Sequence, residues 1–435
     1  VFRGDDRGAR GTASLADLKW FEVFQDEQLQ QLVRTAYAKN YDIRDAVERI
    51  EAARANLGLA RADQLPSAGF TADATTLRVS RSGNFPVPPG FAQQRTFGGV
   101  AFNLLSYEAD IWGRLRSASE AARAEVLAAE ENRKAIMTTL LGEVASAYLN
   151  LLELDAELEI AKRTLTTREN SLQLIQIREQ RGLATRLDVR QGEQLVHIAA
   201  QSIPGIEQRI EQTENHISLL LGQSPGPVTR GRPLSAQNLP PAVPPGLPSS
   251  LLERRPDIRA AEQSLVAAEA TIGVAKAAYF PRISLTGFLG SQSNDLTSLF
   301  TAATGVWQFV PQVTQPIFTG GRLRSNLRLA ESQQKLALIR YERTIQTAFR
   351  EVSDSLVQYR KTREIRAEQE RLVETIEDRA RLAYVRYRGG VDTLLSALDA
   401  DRDLFDAELG LTQAKRNELT AVVQLYRALG GGWQQ

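Results

Sequence analysis

The chain has 435 residues, 43% of them apolar and 24% charged, a composition that belongs to an ordered protein and excludes a disordered tail. Lys and Arg number 53 against 52 Asp and Glu, so the net charge of +1 gives no long-range pull toward nucleic acid; with no cysteine there is no disulfide, thiolate metal site or cysteine nucleophile. No run reaches the ~20 consecutive apolar residues of a spanning helix, so any passage through a bilayer has to be made by strands.

From Val1, which stands where a removed signal segment would leave the chain, residues 1–39 read as an N-terminal arm. Repeat 1 covers 40–224: a helix, a β-hairpin at about 67–109, a long helix at 113–181 and a further helix at 185–222. The long segment contains no proline, and Val144, Ala147, Leu151, Leu154, Leu158, Ala161, Leu165, Leu172 and Ile175 keep a 3,4 spacing broken only by Arg168. At 1.5 Å per residue such a helix is ~100 Å long. Pro204-Gly205 predicts a kink or weakened turn in the helix that follows. Residues 225–250 form a proline-rich connector that cannot continue a helix. Repeat 2 covers 251–435: a helix, a hairpin at about 282–317, a long helix at 321–388, a helix at 392–430 and a C-terminal tail.

The duplication is visible residue by residue. Asp42-Ile43-Arg44 recurs as Asp257-Ile258-Arg259, and the same register carries Gly58 to Gly273 and Pro66 to Pro281. Gly113-Arg114-Leu115-Arg116 recurs as Gly321-Arg322-Leu323-Arg324, followed by Glu143-Val144 and Glu351-Val352, Gly182 and Gly390, Thr185 and Thr393. The first copy carries extra residues inside its hairpin, at a tip containing Pro86, Pro88 and Pro89.

The hairpin strands alternate. Val100, Phe102 and Leu104 interleave with Ala101, Asn103 and Leu105, and Trp307 and Phe309 oppose Gln308 and Val310, which makes Val100, Phe102, Leu104, Trp307 and Phe309 candidates for a membrane-facing surface. The smallest membrane barrels have eight strands, so four strands per chain require an oligomer. Chemistry of the enzymatic kind is sparse. His197 and His216, the only histidines, stand ~28 Å apart if they share a helix and read as packing or surface residues. No phosphate-cradling glycine pattern is present. Neither a cofactor nor a catalytic or metal site is expected. The competing class, a soluble coiled-coil scaffold, explains the long helices but not two amphipathic hairpins at equivalent places.

Three segments carry a family resemblance: Leu247 to Arg259 (LPSSLLERRPDIR), Ser106 to Arg114 (SYEADIWGR) and Leu425 to Trp433 (LYRALGGGW). In this order they resemble the outer-membrane factors of resistance-nodulation-division efflux pumps, the TolC and OprM type, with a likeness to the NodT group of efflux lipoproteins. The resemblance spans about residues 20 to 435. It implies a mainly α fold with a small membrane β-barrel part: a homotrimer with a twelve-stranded barrel in the outer membrane, its lipid around it, and a twelve-helix α-barrel through the periplasm. It implies a periplasmic adaptor protein and an inner-membrane pump as partners, and small molecules such as drugs as cargo. A type I protein-secretion duct shares the same architecture. A lipid anchor on an N-terminal cysteine, a residue absent from this sequence, is also implied. On the same ground the turns at Gly182, Leu183 and Thr185 and at Gly390, Val391 and Thr393 are expected to meet the adaptor. Leu395, Asp399 and Arg402, one helical face by their spacing, are expected to form a periplasmic gate. The plain alternative for that stretch is a solvated acidic face made by Asp399, Asp401 and Asp403.

Overall fold

The computed structural model describes residues 15–80, 90, 92–237 and 250–433. The N-terminal residues 1–14, the proline-bearing tip at 81–89 and the connector from 238 to 249 lie outside the described residues.

The duplicated sequence folds twice into matching elements. The first set is α3 (Tyr41–Ala62), β1 (Ser67–Arg78), β2 (Gln94–Glu108), α4 (Arg114–Gln180) and α5 (Arg186–Leu220). The second is α7 (Pro256–Ala277), β3 (Arg282–Ser293), β4 (Gly305–Thr314), α8 (Arg322–Arg388) and α9 (Leu394–Ala428). α4 and α8 are both 67 residues long, and α5 and α9 both 35. Two short helices, α1 (Trp20–Val23) and α2 (Glu27–Lys39), precede the first set, and α6 (Ser250–Arg254) precedes the second. By contact the chain divides into two compact units that each draw on both copies. One comprises Val1–Glu48, Glu131–Arg259 and Glu342–Gln435, the other Arg49–Glu130 and Ala260–Tyr341.

The helical unit holds the main core, where Tyr148, Leu151, Ile217, Leu425, Tyr426 and Leu429 are almost fully buried. Within the described part of the N-terminal arm, α2 buries Leu29, Leu32, Val33 and Ala36 in that core. Its start is fixed by Asp26, which accepts hydrogen bonds from the N–H groups of Gln28 (2.8 Å) and Leu29 (3.2 Å). The same carboxylate gathers the connector: Gln237 Nε2 donates to it at 2.7 Å, Arg232 N at 3.2 Å and the Tyr148 hydroxyl at 3.2 Å. Arg230 adds ion pairs to Asp155 at 2.9 Å and to Glu214. The duplication persists in the side-chain detail. Asn40 Nδ2 donates to the Leu220 carbonyl at the end of α5 (2.9 Å), and Arg255 Nη1 donates to the matching Ala428 carbonyl at the end of α9 (3.1 Å). α5 runs as one helix through Pro204, the place where the sequence predicts a kink or weakened turn. One window of α4 is apolar enough by composition to cross a membrane, but 61% of it is buried within the protein, as in a core helix.

The second unit carries one antiparallel sheet in the order β1-β2-β3-β4, with β1 and β4 as its edges. Where β2 passes into α4, Arg114 makes a two-pronged contact to Glu108 (2.8 and 2.8 Å) and Asp110 caps the helix at the N–H groups of Leu115 and Arg116. Trp112 stacks on Phe280 at 4.7 Å and donates from Nε1 to the Pro281 carbonyl.

Candidate functional site

The sheet sorts its side chains by face. In direct register across all four strands lie Phe70, Phe102, Leu289 and Trp307. These four are 60% to 76% exposed. Leu104 and Phe309 flank them on one side and Val100 on the other, so all five strand residues singled out in the sequence share this apolar face. The opposite face presents Thr71, Asp73, Asn103, Gln292 and Gln308 together with Phe97, Phe288 and Val310, so it is the more polar of the two. Strand alternation alone produces the separation.

At the far ends of the long helices, two equivalent turns are built alike. Gly182 and Gly390 adopt left-handed conformations with φ of 75° and 72°. The N–H of Leu183 reaches back to Arg178 O (2.8 Å) and that of Val391 to Arg386 O (3.0 Å), closing both helices with glycine-dependent caps. The next helices start on Thr185 and Thr393, whose hydroxyls accept from the N–H groups of Asp188 and Ser396. Asp392 is held below the ordinary carboxylate range by the Thr393 N–H, the Ser396 hydroxyl and Arg386. A Cβ built on either glycine meets nothing within 4 Å, and Leu183 and Val391 are exposed, so both turns present open surface in the single chain.

The first two turns of α9 have two unlike faces. Leu395 is 54% exposed, and on its side Arg402 Nη1 lies 3.6 Å from Asp399 Oδ1. The other side is buried: Leu394, Ala397 and Leu398 form a small cluster with Ile175 of α4 and Tyr387 of α8. Asp401 belongs to this buried side. It is 8% exposed and receives Arg168 Nε of α4 at 2.7 Å, while Arg168 Nη1 donates to the Leu195 carbonyl of α5 at 3.2 Å. Phe405 lies under the guanidinium, 5.3 Å from centroid to Cζ. Burial, with the Asp401 charge beside it, raises the Tyr384 hydroxyl pKa.

This arrangement corrects the solvated acidic face. Residues two positions apart on an α-helix are rotated by ~200°, so Asp401 points away from Asp399. Asp403 is drawn to Arg379 of α8 at 2.8 Å. It also explains Arg168, the break in the apolar stripe of α4: the stripe faces α9 there, and Arg168 meets a carboxylate rather than water. Exposed pairs such as Asp399–Arg402 are worth ~0–1 kcal/mol. Removing one partner of a buried pair leaves a charge without compensation and costs about 3–5 kcal/mol. Further along α9 two more buried acids are paired, Glu153 with Arg416 (2.7 Å) and Glu418 with Arg366 (2.5 Å). Burial raises the Glu153 pKa despite its arginine.

His197 and His216 lie on α5, both exposed and ~28 Å apart. Among the described residues no group of three or more His, Asp or Glu could hold a metal ion.

The model of the outer membrane efflux protein family matches residues 32–223 and 247–431. The chain belongs to the outer membrane efflux protein family. Relatives of this family include the toluene efflux pump outer membrane protein TtgF of Pseudomonas putida, 40% identical over 96% of this chain and 86% of its own length. Outer membrane protein OprJ of Pseudomonas aeruginosa is 39% identical over 98% of this chain and 88% of its own. Among solved structures, the open state of the MtrE outer membrane channel of Neisseria gonorrhoeae superposes with a TM-score of 0.91 at 33% identity, covering 100% of this chain and 95% of the other. The efflux-family fold is therefore that of TolC-like outer membrane channels, mainly helical with a small sheet, and the chain is an outer membrane protein. Sequence reasoning placed the strands and turns and put Leu395, Asp399 and Arg402 on one helical face, but missed Asp26 and the partner of Arg168. An acid opening an apolar helix was the available signal for Asp26.

Proposed function

We propose that three copies of this chain form a channel that carries small molecules out through the outer membrane, receiving them from a periplasmic adaptor and an inner-membrane resistance-nodulation-division pump. The observation that carries this reading is the sheet. It has two edges that pair with no strand among the described residues, an exposed apolar row running across all four strands, and a more polar opposite face. Each aromatic or leucine in that row is worth about 1.5–3 kcal/mol when withdrawn from water, so a lipid surface suits it and water does not. Three such sheets joined edge to edge supply twelve strands, enough to close a barrel with the polar face inward. Val100, Phe102, Leu104, Trp307 and Phe309 then face lipid.

In the same assembly Leu395, Asp399 and Arg402 form the periplasmic gate. Rings of Leu395 obstruct the lumen, Arg402 offsets the mutual repulsion of three Asp399 carboxylates, and the open pore keeps a mild preference for cations. The turns at Gly182, Leu183 and Thr185 and at Gly390, Val391 and Thr393 dock the adaptor. Relatives named for toluene, solvent and antibiotic efflux support small, partly apolar cargo. The gate is tested in planar bilayers: Leu395→Ser and Asp399→Ala, alone and together, raise single-channel conductance. If all three conduct like the parent, closure lies elsewhere.

A further inference from the structure

We propose that the buried Arg168–Asp401 pair is the fulcrum of α9, the fixed point about which its gate-bearing first turns move while the rest of the helix stays seated. This rests on the gate reading above. It differs from a latch, because a latch must break for the channel to open and a fulcrum must not.

Three observations lead there. The first is position. Asp401 sits just past Leu395 and Asp399 on the opposite side of α9, and its partner Arg168 also grips the Leu195 carbonyl, so one guanidinium ties α4, α5 and α9 together at this level. The second is the order in which contacts give way. On the tip side of Asp401 the ties of α9 are the solvent-exposed pair Arg386–Asp392 at the turn that leads into it and one small apolar cluster, Leu394, Ala397 and Leu398 against Ile175 and Tyr387. Beyond it α9 enters the main core through Phe405, Val422 and Leu425 and adds the buried pairs of Arg416 and Glu418. A motion that widens an aperture at the tip breaks exposed pairs before buried ones.

The third observation is asymmetry between the two copies. The position matching Arg168 is Ile376, and the one matching Asp401 is Glu193, which pairs within α5 to Arg190 at 2.6 Å. The gate positions differ in the same sense, since Leu187, Gln191 and Gln194 stand where α9 has Leu395, Asp399 and Arg402. Charge at the gate and a buried charged anchor behind it therefore occur together, on one helix of the pair.

The absence of cysteine makes a staple experiment clean. In the Asp399→Ala channel, which keeps the Leu395 ring, one cysteine pair replaces Arg163 and Glu408, whose side chains meet at 2.5 Å on the seated side of the fulcrum. A second pair replaces Ile175 of α4 and Leu398 of α9 in the tip cluster, with Leu394→Cys in place of Leu398→Cys if that variant does not assemble. Each is bridged by a short reducible bifunctional thiosulfonate, bridging is verified by mass, and conductance is read before and after. The expected result is that the 163/408 staple leaves the raised conductance unchanged, whereas the tip staple returns it to the parental level until reductant is added. Loss of conductance on stapling 163/408, or none on stapling the tip, overturns the fulcrum while the gate stands. If Asp399→Ala conducts like the parent before any staple, the Asp399–Arg402 part of the gate reading fails and the fulcrum with it.

Discussion

Arg168 and Asp401 are 3% and 8% exposed and meet at 2.7 Å, so removing one of them should be far more damaging than removing the exposed charge of Asp399. Asp401→Ala leaves a guanidinium in the core with only the Leu195 carbonyl for company, a loss expected at about 3–5 kcal/mol. At ~1.4 kcal/mol per decade this lowers the folding equilibrium by about two to nearly four orders of magnitude. Arg168→Met should behave similarly by stranding the carboxylate. The double replacement Arg168→Met/Asp401→Leu removes both charges, keeps apolar volume beside Phe405, and should recover most of the loss. Asp399→Ala, at a 3.6 Å pair in solvent, should change stability by ~0–1 kcal/mol. The assay is denaturant unfolding in detergent followed by far-ultraviolet circular dichroism, at fixed protein concentration because assembly shifts the midpoint. If Asp401→Ala costs no more than Asp399→Ala, or if the double variant is as damaged as the sum of the singles, the pair is not the buried, coupled contact described above.

The helix-end turns give a second expectation. Gly182→Trp and Gly390→Trp should abolish adaptor capture in a pull-down, while Gly182→Asn, which tolerates the left-handed backbone, should retain most of it; equal capture by all variants would remove these turns from the adaptor surface. A third concerns acid. Burial pushes the Asp26 pKa up, but the Gln237 side chain and the N–H groups of Leu29, Gln28 and Arg232 outweigh it and hold it below the ordinary value. Its contribution is thus fully present above the unfolded carboxylate pKa and is lost as pH falls through the lower folded value. Hydrogen exchange in residues 228–237 should accelerate on acidification below about pH 4, and Asp26→Asn should flatten that dependence; a pH-independent profile in the parent would contradict it.

Much of this fold is legible in the sequence because its signals are repetitive. A 3,4 apolar spacing without proline marks α4 and α8, glycine marks their ends, and period-two alternation marks the strands and separates Phe102 and Trp307 from Asn103 and Gln308. Residues whose role is set by distant partners are not legible in that way. Arg168 appears only as a break in a stripe, because its carboxylate lies 233 positions away on a helix of the other copy. Asp401 groups with Asp399 and Asp403 by proximity in sequence, although helical rotation alone separates it from them. Asp26 opens a short helix in what reads as an arm, and its other partners, Tyr148, Arg232 and Gln237, come from segments with no local relation to it.

Whether three copies of this chain build an aqueous pore is decided by the mass and conductance of the purified protein. Outer-membrane fractions should yield a detergent-soluble species of three chains that dissociates on heating and forms discrete conducting channels in planar bilayers. A single chain that stays monodisperse in water without detergent and leaves bilayers non-conducting would rule out the trimeric channel.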